Sequence, residues 1–328
     1  MSEREARQQV SRSLILLAAL ALGLAAGVLL IPAAFRLIPN DLSRVRTVLL
    51  ALRGNPQIVV IGDSRGEASI DARQLTAELP QHPLVYNLSW HALRLVHVYA
   101  LADRFPPSVR TVVINVSLQD LADDGPGEPR IWEAMRAYGY EPDPRLVAEM
   151  RRAFRDDPLL QPLMRPPLQA RLTSRWAIRQ IADTGLRSLF RRDLRFERER
   201  DDLFFPSAYT RRAAPAAFES FFATHPNRIG SETICPAKKI LLAHIVRTAR
   251  ARRWRVVLLL PAVHPRLMLA DHDRRVAELR AYGAGTGMEI VDGGRWLNDA
   301  DFNDPLHPSI EGARKFTAAL AAALQGRG

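Results

Sequence analysis

QIVVIGDSRGEASIDARQLTAEL, residues 57–79, holds a short apolar run, a glycine-closed turn and a helical pattern in direct succession. Residues 57–61 are almost wholly apolar, as a strand buried on both faces requires. After Gly62, the apolar residues Ile70, Leu75 and Leu79 recur at helical intervals, so residues 66–79 are expected to form a helix. The unit is strand, tight turn, helix.

It repeats along the chain. PLVYN (83–87) precedes a helical pattern over 91–105, and TVVINV (111–116) ends in Ser117-Leu118-Gln119-Asp120. A helical stretch over 237–254 leads into RVVLLL (255–260), and MEIVD (288–292) precedes a last helix starting near Ser309. Apolar strands alternating with helices predict an α/β domain, a parallel sheet with helices on both faces.

The rhythm stops over 123–235, where arginine-rich helical pieces are broken by Pro158, Pro162, Pro166, Pro167, Pro206 and Pro215. This is a helical insertion placed after the third strand, the end of a sheet where α/β proteins put ligands, and it is expected to supply a lid or a substrate surface. Leu172, Trp176, Ile181, Leu186, Leu189 and Phe190 within it fit either an amphipathic helix on a bilayer surface or a helix packed on the core.

Upstream, Ser13 to Phe35 is a run of 23 residues without a charge. That exceeds the roughly 20 residues needed to cross a hydrocarbon core as a helix. It also exceeds the about 7 to 15 apolar residues of a cleaved signal, so an uncleaved signal anchor is expected. Arginines flank both ends (Arg4, Arg7, Arg12; Arg36, Arg44, Arg46, Arg53), so charge does not orient the span. The expected organisation is a cytoplasmic tail (1–12), a transmembrane anchor (13–35), a linker (36–56) and an α/β domain (57–328). The short N-terminal tail before a single span leads to the expectation that this domain lies outside the cytoplasm.

Composition narrows the chemistry. The 328 residues include one cysteine, Cys235, which excludes an internal disulfide framework and a CxxC zinc or thiol-redox motif. No metal and no cofactor is expected. The net charge is +11 and nearly all arginine, since Lys238, Lys239 and Lys315 are the only lysines. Residues 151–200 hold 13 arginines against 6 acidic residues without a nucleic-acid motif. The surplus reads as a surface for anionic lipid or an acidic polymer, or as a plain solvated face, and nucleic acid is not an expected partner.

Two turns carry candidate catalytic groups. Gly62-Asp63-Ser64 puts a serine at the carboxyl end of a strand and at a helix start, which suits a nucleophile whose own N–H can serve an oxyanion. Asn303-Asp304-Pro305-Leu306-His307-Pro308-Ser309 precedes the last helix, and the three-residue spacing lets the Asp304 carboxylate reach one nitrogen of His307 and leave the other free to take a proton. In a doubly wound sheet both turns lie at one edge, as a Ser-His-Asp triad needs. Asn87-Leu88-Ser89 and Ser117–Asp120 follow strands at the same edge, so the Ser64 and Ser89 backbone N–H groups and the Gln119 amide are candidate oxyanion donors.

These four blocks resemble, in this order, those of the SGNH, or GDSL-type, hydrolase superfamily, over residues 57–122 and 236–324. The resemblance implies a flavodoxin-like sheet, with Ser64 as nucleophile and Asp304 and His307 as its triad partners. It sets Ser89 where the family has a glycine N–H donor, Gln119 where it has an asparagine amide donor, and Ser117 at the glycine before it. The overall plan is similar to membrane-anchored bacterial proteins that add or remove acetyl groups on extracellular polysaccharide, the alginate acetylation proteins included. Leu260-Pro261-Ala262-Val263-His264-Pro265 is reminiscent of the same group and sets His264 near the mouth of the site. Arg65 and His264 are therefore candidate substrate contacts. The expected activity is that of a serine esterase or O-acyl(acetyl)transferase on an acylated glycan, beside polysaccharide export or acetylation machinery. The rival expectation is a non-catalytic assembly protein that keeps the fold and binds an anionic polysaccharide.

Overall fold

A computed structural model describes residues 13–20, 22–23, 54–89, 93–102, 104–122, 143–153, 214–224 and 231–326. Five strands, β1 (Ile58–Gly62), β2 (Val85–Asn87), β3 (Thr111–Asn115), β4 (Arg255–Leu260) and β5 (Glu289–Asp292), form one sheet in the order β2-β1-β3-β4-β5. Every pairing is parallel. This order has its switch point between β1 and β3, where the chain leaves β1 in opposite directions and opens a crevice at the carboxyl ends.

The strands are buried on both faces because helices cover both. Ile58, Val60, Val113, Val257 and Leu259 share a core with Leu75 of α2 (Ala72–Glu78) and with Phe316 and Leu320 of α9 (Ile310–Gln325). By the period of two, Val59, Ile61, Val112 and Ile114 face the other way, and all are nearly inaccessible to solvent. On that side lie α3 (Leu95–Ala102) and α7 (Pro236–Arg252), which pack on each other and against the sheet. The helix α8 (His272–Thr286) comes so close to β5 at Gly283 that a Cβ there would stand 2.8 Å from Ile290 Cγ1.

The helix expected over 66–79 is two helices, α1 (Ser64–Ser69) and α2, broken at Ile70-Asp71. The break has a local cause: the Asp71 carboxylate accepts the N–H groups of Arg73 and Gln74 at 2.9 and 3.1 Å, which caps α2 and stops α1 from running on. The turn expected at 117–120 winds into a short helix, α4 (Leu118–Ala122). Ser309 caps α9 through Gly312 N–H at 3.0 Å, in line with its expected start.

Two further helices lie within the inserted region, α5 (Pro144–Ala153) and α6 (Pro215–Thr224). The amphipathic pattern between Leu172 and Phe190 lies outside the described residues. The sheet and α1–α9 belong to one compact unit, residues 45–128, 143–160 and 195–328. In the other unit the described residues are 13–20 and 22–23, which are helical. The remainder of the span expected over 13–35 lies outside the described residues, and no described helix is long and apolar enough to cross a membrane.

Candidate active site

The turn after β1 is built by its capping residue. Asp63 Oδ1 accepts the Arg65 N–H at 3.0 Å and starts α1, which makes Ser64 the first helical residue. The Ser64 N–H has no acceptor among the described residues, as expected for one of the orphan donors of a helix start. Burial pushes the Asp63 carboxyl above its usual range, and nearby Asp120 adds to this against the opposing pull of Arg65.

His307 comes from a loop 243 residues later. That loop is closed on itself: Asn303 N–H donates to His307 O at 3.0 Å, Phe302 bridges Pro308, and Ser309 N–H donates to Asp301 O at 2.7 Å. Asp301 is tied in turn to Lys315 Nζ of α9 at 2.6 Å, and Phe302 is buried beneath. The loop is thus anchored to the helix that covers β1.

The three groups meet. Ser64 Oγ lies 3.0 Å from His307 Nε2, and His307 Nδ1 lies 2.8 Å from Asp304 Oδ2. Asp304 Oδ1 also accepts the backbone N–H groups of Leu306 and His307 at 2.8 and 2.9 Å. Burial works to raise the Asp304 pKa, but the His307 ring and these two donors outweigh it and hold the carboxyl below its ordinary value. An ionised carboxylate only accepts, so Nδ1 carries the proton and Nε2 is left to accept from the serine hydroxyl.

The oxyanion candidates stand differently. The Ser89 N–H donates to Asn87 Oδ1 at 3.1 Å, so it already has an acceptor. Asn87 Nδ2 donates to the carbonyls of Gly66 and Ile70 at 3.0 and 2.9 Å, stitching α1 to the end of β2. Gln119 is exposed in the first turn of α4. Ser117 donates its hydroxyl to Asp120 at 2.7 Å, and Asp120 also pairs with Arg94.

A cavity of about 450 Å³ opens beside the triad loop. Arg65, Gln119, His264, Pro305 and Leu306 are among its lining residues, and α6 contributes Phe221 and Thr224. The insertion therefore supplies a wall of the cavity. His264 is packed within that wall, its ring centroid 5.0 Å from Phe222 and 5.1 Å from Phe302. Its Nδ1 accepts the Arg266 N–H at 3.3 Å, and burial presses its pKa down.

Some polar residues here were not singled out by the sequence reading. Asn115 ends β3 directly under α1, buried, with neither side-chain polar atom hydrogen-bonded, and Ser89 Oγ beside it is in the same state. His272 lines the cavity and contacts Asp292 at 3.0 Å through Nε2. Asn115 had a visible signal, an amide closing an apolar strand. His272 and Asp292 are 20 residues apart without a motif. Among the described residues no group of three His, Cys, Asp or Glu side chains is disposed to hold a metal ion.

No protein-family model and no curated protein matches the chain.

Proposed function

We propose that this protein is an SGNH-type serine esterase or O-acyltransferase that works through an acyl-serine intermediate. The observation that carries the reading is the unbroken relay from Ser64 Oγ to His307 Nε2 and from His307 Nδ1 to Asp304, at 3.0 and 2.8 Å. In the reaction, Ser64 Oγ bonds to the acyl carbon of an ester while its proton passes to His307 Nε2. Asp304 stabilises the imidazolium so formed. The tetrahedral oxyanion is met by the Ser64 N–H, with Gln119 or a Ser89 N–H released from Asn87 as further donors. His307 returns the proton to the leaving alkoxide, and the acyl group stays on Ser64. Water or a sugar hydroxyl then attacks the acyl carbon and gives its proton to His307, which passes it to Ser64 Oγ as the acyl–serine bond breaks.

The substrate proposed is an acylated polysaccharide or a related ester outside the cytoplasm. The uncharged run over 13–35 supports a single-pass anchor in the inner membrane with the α/β domain on the periplasmic side. Polysaccharide export or acetylation machinery is the proposed partner, and nucleic acid is not.

A second reading, a non-catalytic protein that binds an anionic polysaccharide, is favoured by one observation, the engagement of the Ser89 N–H by Asn87. Aryl acetate turnover separates the two. The esterase reading expects 4-nitrophenyl acetate to be hydrolysed and Ser64→Ala to lower the rate by about 10,000-fold or more, as removal of a triad member does. Wild-type protein with a native circular dichroism spectrum and no turnover above a Ser64→Ala sample supports the binding reading.

A further inference from the structure

The cavity beside the triad has a mixed chemistry of which the esterase reading uses Gln119 alone. Its walls are mainly apolar, with Leu118, Phe221, Leu260, Val263, Leu267 and Leu269 among them. Among the described residues of the lining the charged one is Arg65, the remaining titratable groups are the imidazoles of His264 and His272, and no carboxylate takes part. A volume of about 450 Å³ is that of a site for a small organic ligand.

Arg65 is poorly compensated. Its one ionic contact among the described residues is from Nε to Asp63 Oδ2 at 3.5 Å, and its two terminal nitrogens have no hydrogen-bond partner there. The side chain is nevertheless only 16% exposed. Arg65 faces the cavity as part of its lining, and its planar fork matches a carboxylate or a phosphate through two parallel hydrogen bonds. The apolar walls lower the local dielectric and strengthen that pairing.

We propose that the cavity is a binding site for an anionic amphiphile: the ester acted on carries a carboxylate or phosphate held by Arg65 and an apolar body lying against Phe221, Leu260 and Leu267. The position of the scissile bond beside this anion rests on the esterase reading, because Arg65 directly follows Ser64. The binding itself does not. An acyl or alcohol portion with an apolar chain of several carbons and one anionic group is thus preferred over a bare acetyl ester of a neutral alcohol.

The test uses four unreactive probes with the same chain, hexanoate, hexyl phosphate, hexan-1-ol and hexylammonium, titrated into the full chain carrying Ser64→Ala. Turnover is absent from this assay, so failure of the esterase reading and failure of the anion site are seen separately. The two anions are expected to bind about 10-fold to 100-fold more tightly than hexanol, the range set by a hydrogen-bonded charge pair. Hexylammonium is expected to bind more weakly than hexanol. Comparing hexanoate with hexyl phosphate tells which anion the fork prefers. A further Arg65→Gln change removes the advantage of the anions over hexanol, and Arg65→Lys restores part of it, which rules out misfolding as the cause. Equal binding of hexanol and the anions, or an anion preference that survives Arg65→Gln, overturns the proposal.

Discussion

Asp63 and Asp304 show how one residue type is shifted in opposite directions within a single site. Asp304 accepts from an imidazole and two backbone N–H groups, which keeps it charged and able to orient His307. Asp63 accepts at the start of α1, but burial is its largest influence and raises its pKa. The linkage has a definite sign. A carboxyl whose folded pKa lies above its unfolded one loses stability as pH climbs from the unfolded value of 3.8 through the folded value, and the loss is complete above it. Asn at position 63 keeps the capping oxygen and removes the charge. Asp63→Asn is therefore expected to raise Tm at pH 7 and to lose that advantage below pH 3.8; thermal melts of both proteins across this range check it. A Tm difference unchanged with pH contradicts the account of Asp63. Ser64, Asp304 and His307 were legible in the sequence because each sits in a turn whose flanking strand or helix was itself readable. Arg65 was named only as a neighbour of Ser64. Its place in the cavity wall depends on residues drawn from α4, α6 and the loop after β4, which no local pattern encodes.

The last helix does more than cover the sheet, because its first turn fixes the loop that carries the histidine. Gly312 is the contact point: a Cβ there would stand 2.2 Å from Asp301 O, the carbonyl that accepts Ser309 N–H and sits one residue before buried Phe302. Gly312→Ala gains about 1 kcal/mol of helix propensity. That gain does not offset a collision with backbone, and overpacking of this kind costs about 1–3 kcal/mol. The variant is expected to lower Tm and to slow ester turnover together, since α9 must lift away from Asp301. Gly285, inside α8 with nothing within 4 Å of where a Cβ would stand, is the control. Gly285→Ala is expected to stabilise by about 0.5–1 kcal/mol with turnover unchanged. At this scale the strands were legible and helix ends less so. The apolar runs marked β1 to β5 to within one or two residues, because burial on both faces leaves little choice of residue. The break between α1 and α2 was missed because Asp71 interrupts no hydrophobic spacing, and only its capping bonds show that the helix restarts there.

For the whole molecule, the strand order does the work of assembling a site from opposite ends of the chain. With β1 and β3 adjacent and β4 and β5 added outward, the turn after β1 and the loop before α9 arrive at one edge although 243 residues separate Ser64 from His307. The expectation that both turns share an edge followed from alternating strands and helices alone. The insertion was expected to supply a lid or a substrate surface, and α6 does line the cavity; the contacts that hold it there did not follow, Phe222 packing at a tilt against His264 and Arg266 pairing with Glu219. Those contacts join the insertion to the loop after β4, 47 residues apart in the case of Glu219 and Arg266, and no local pattern encodes them. The central claim is that this edge makes Ser64 a nucleophile, and a fluorophosphonate probe tests it at the atom concerned. Peptide mass mapping of the labelled full chain is expected to find one phosphonyl group on Ser64, formed in the native protein, slowed strongly by His307→Gln and absent after heat denaturation. Native protein that stays unlabelled, or that carries the label elsewhere with Ser64 unmodified, contradicts the account.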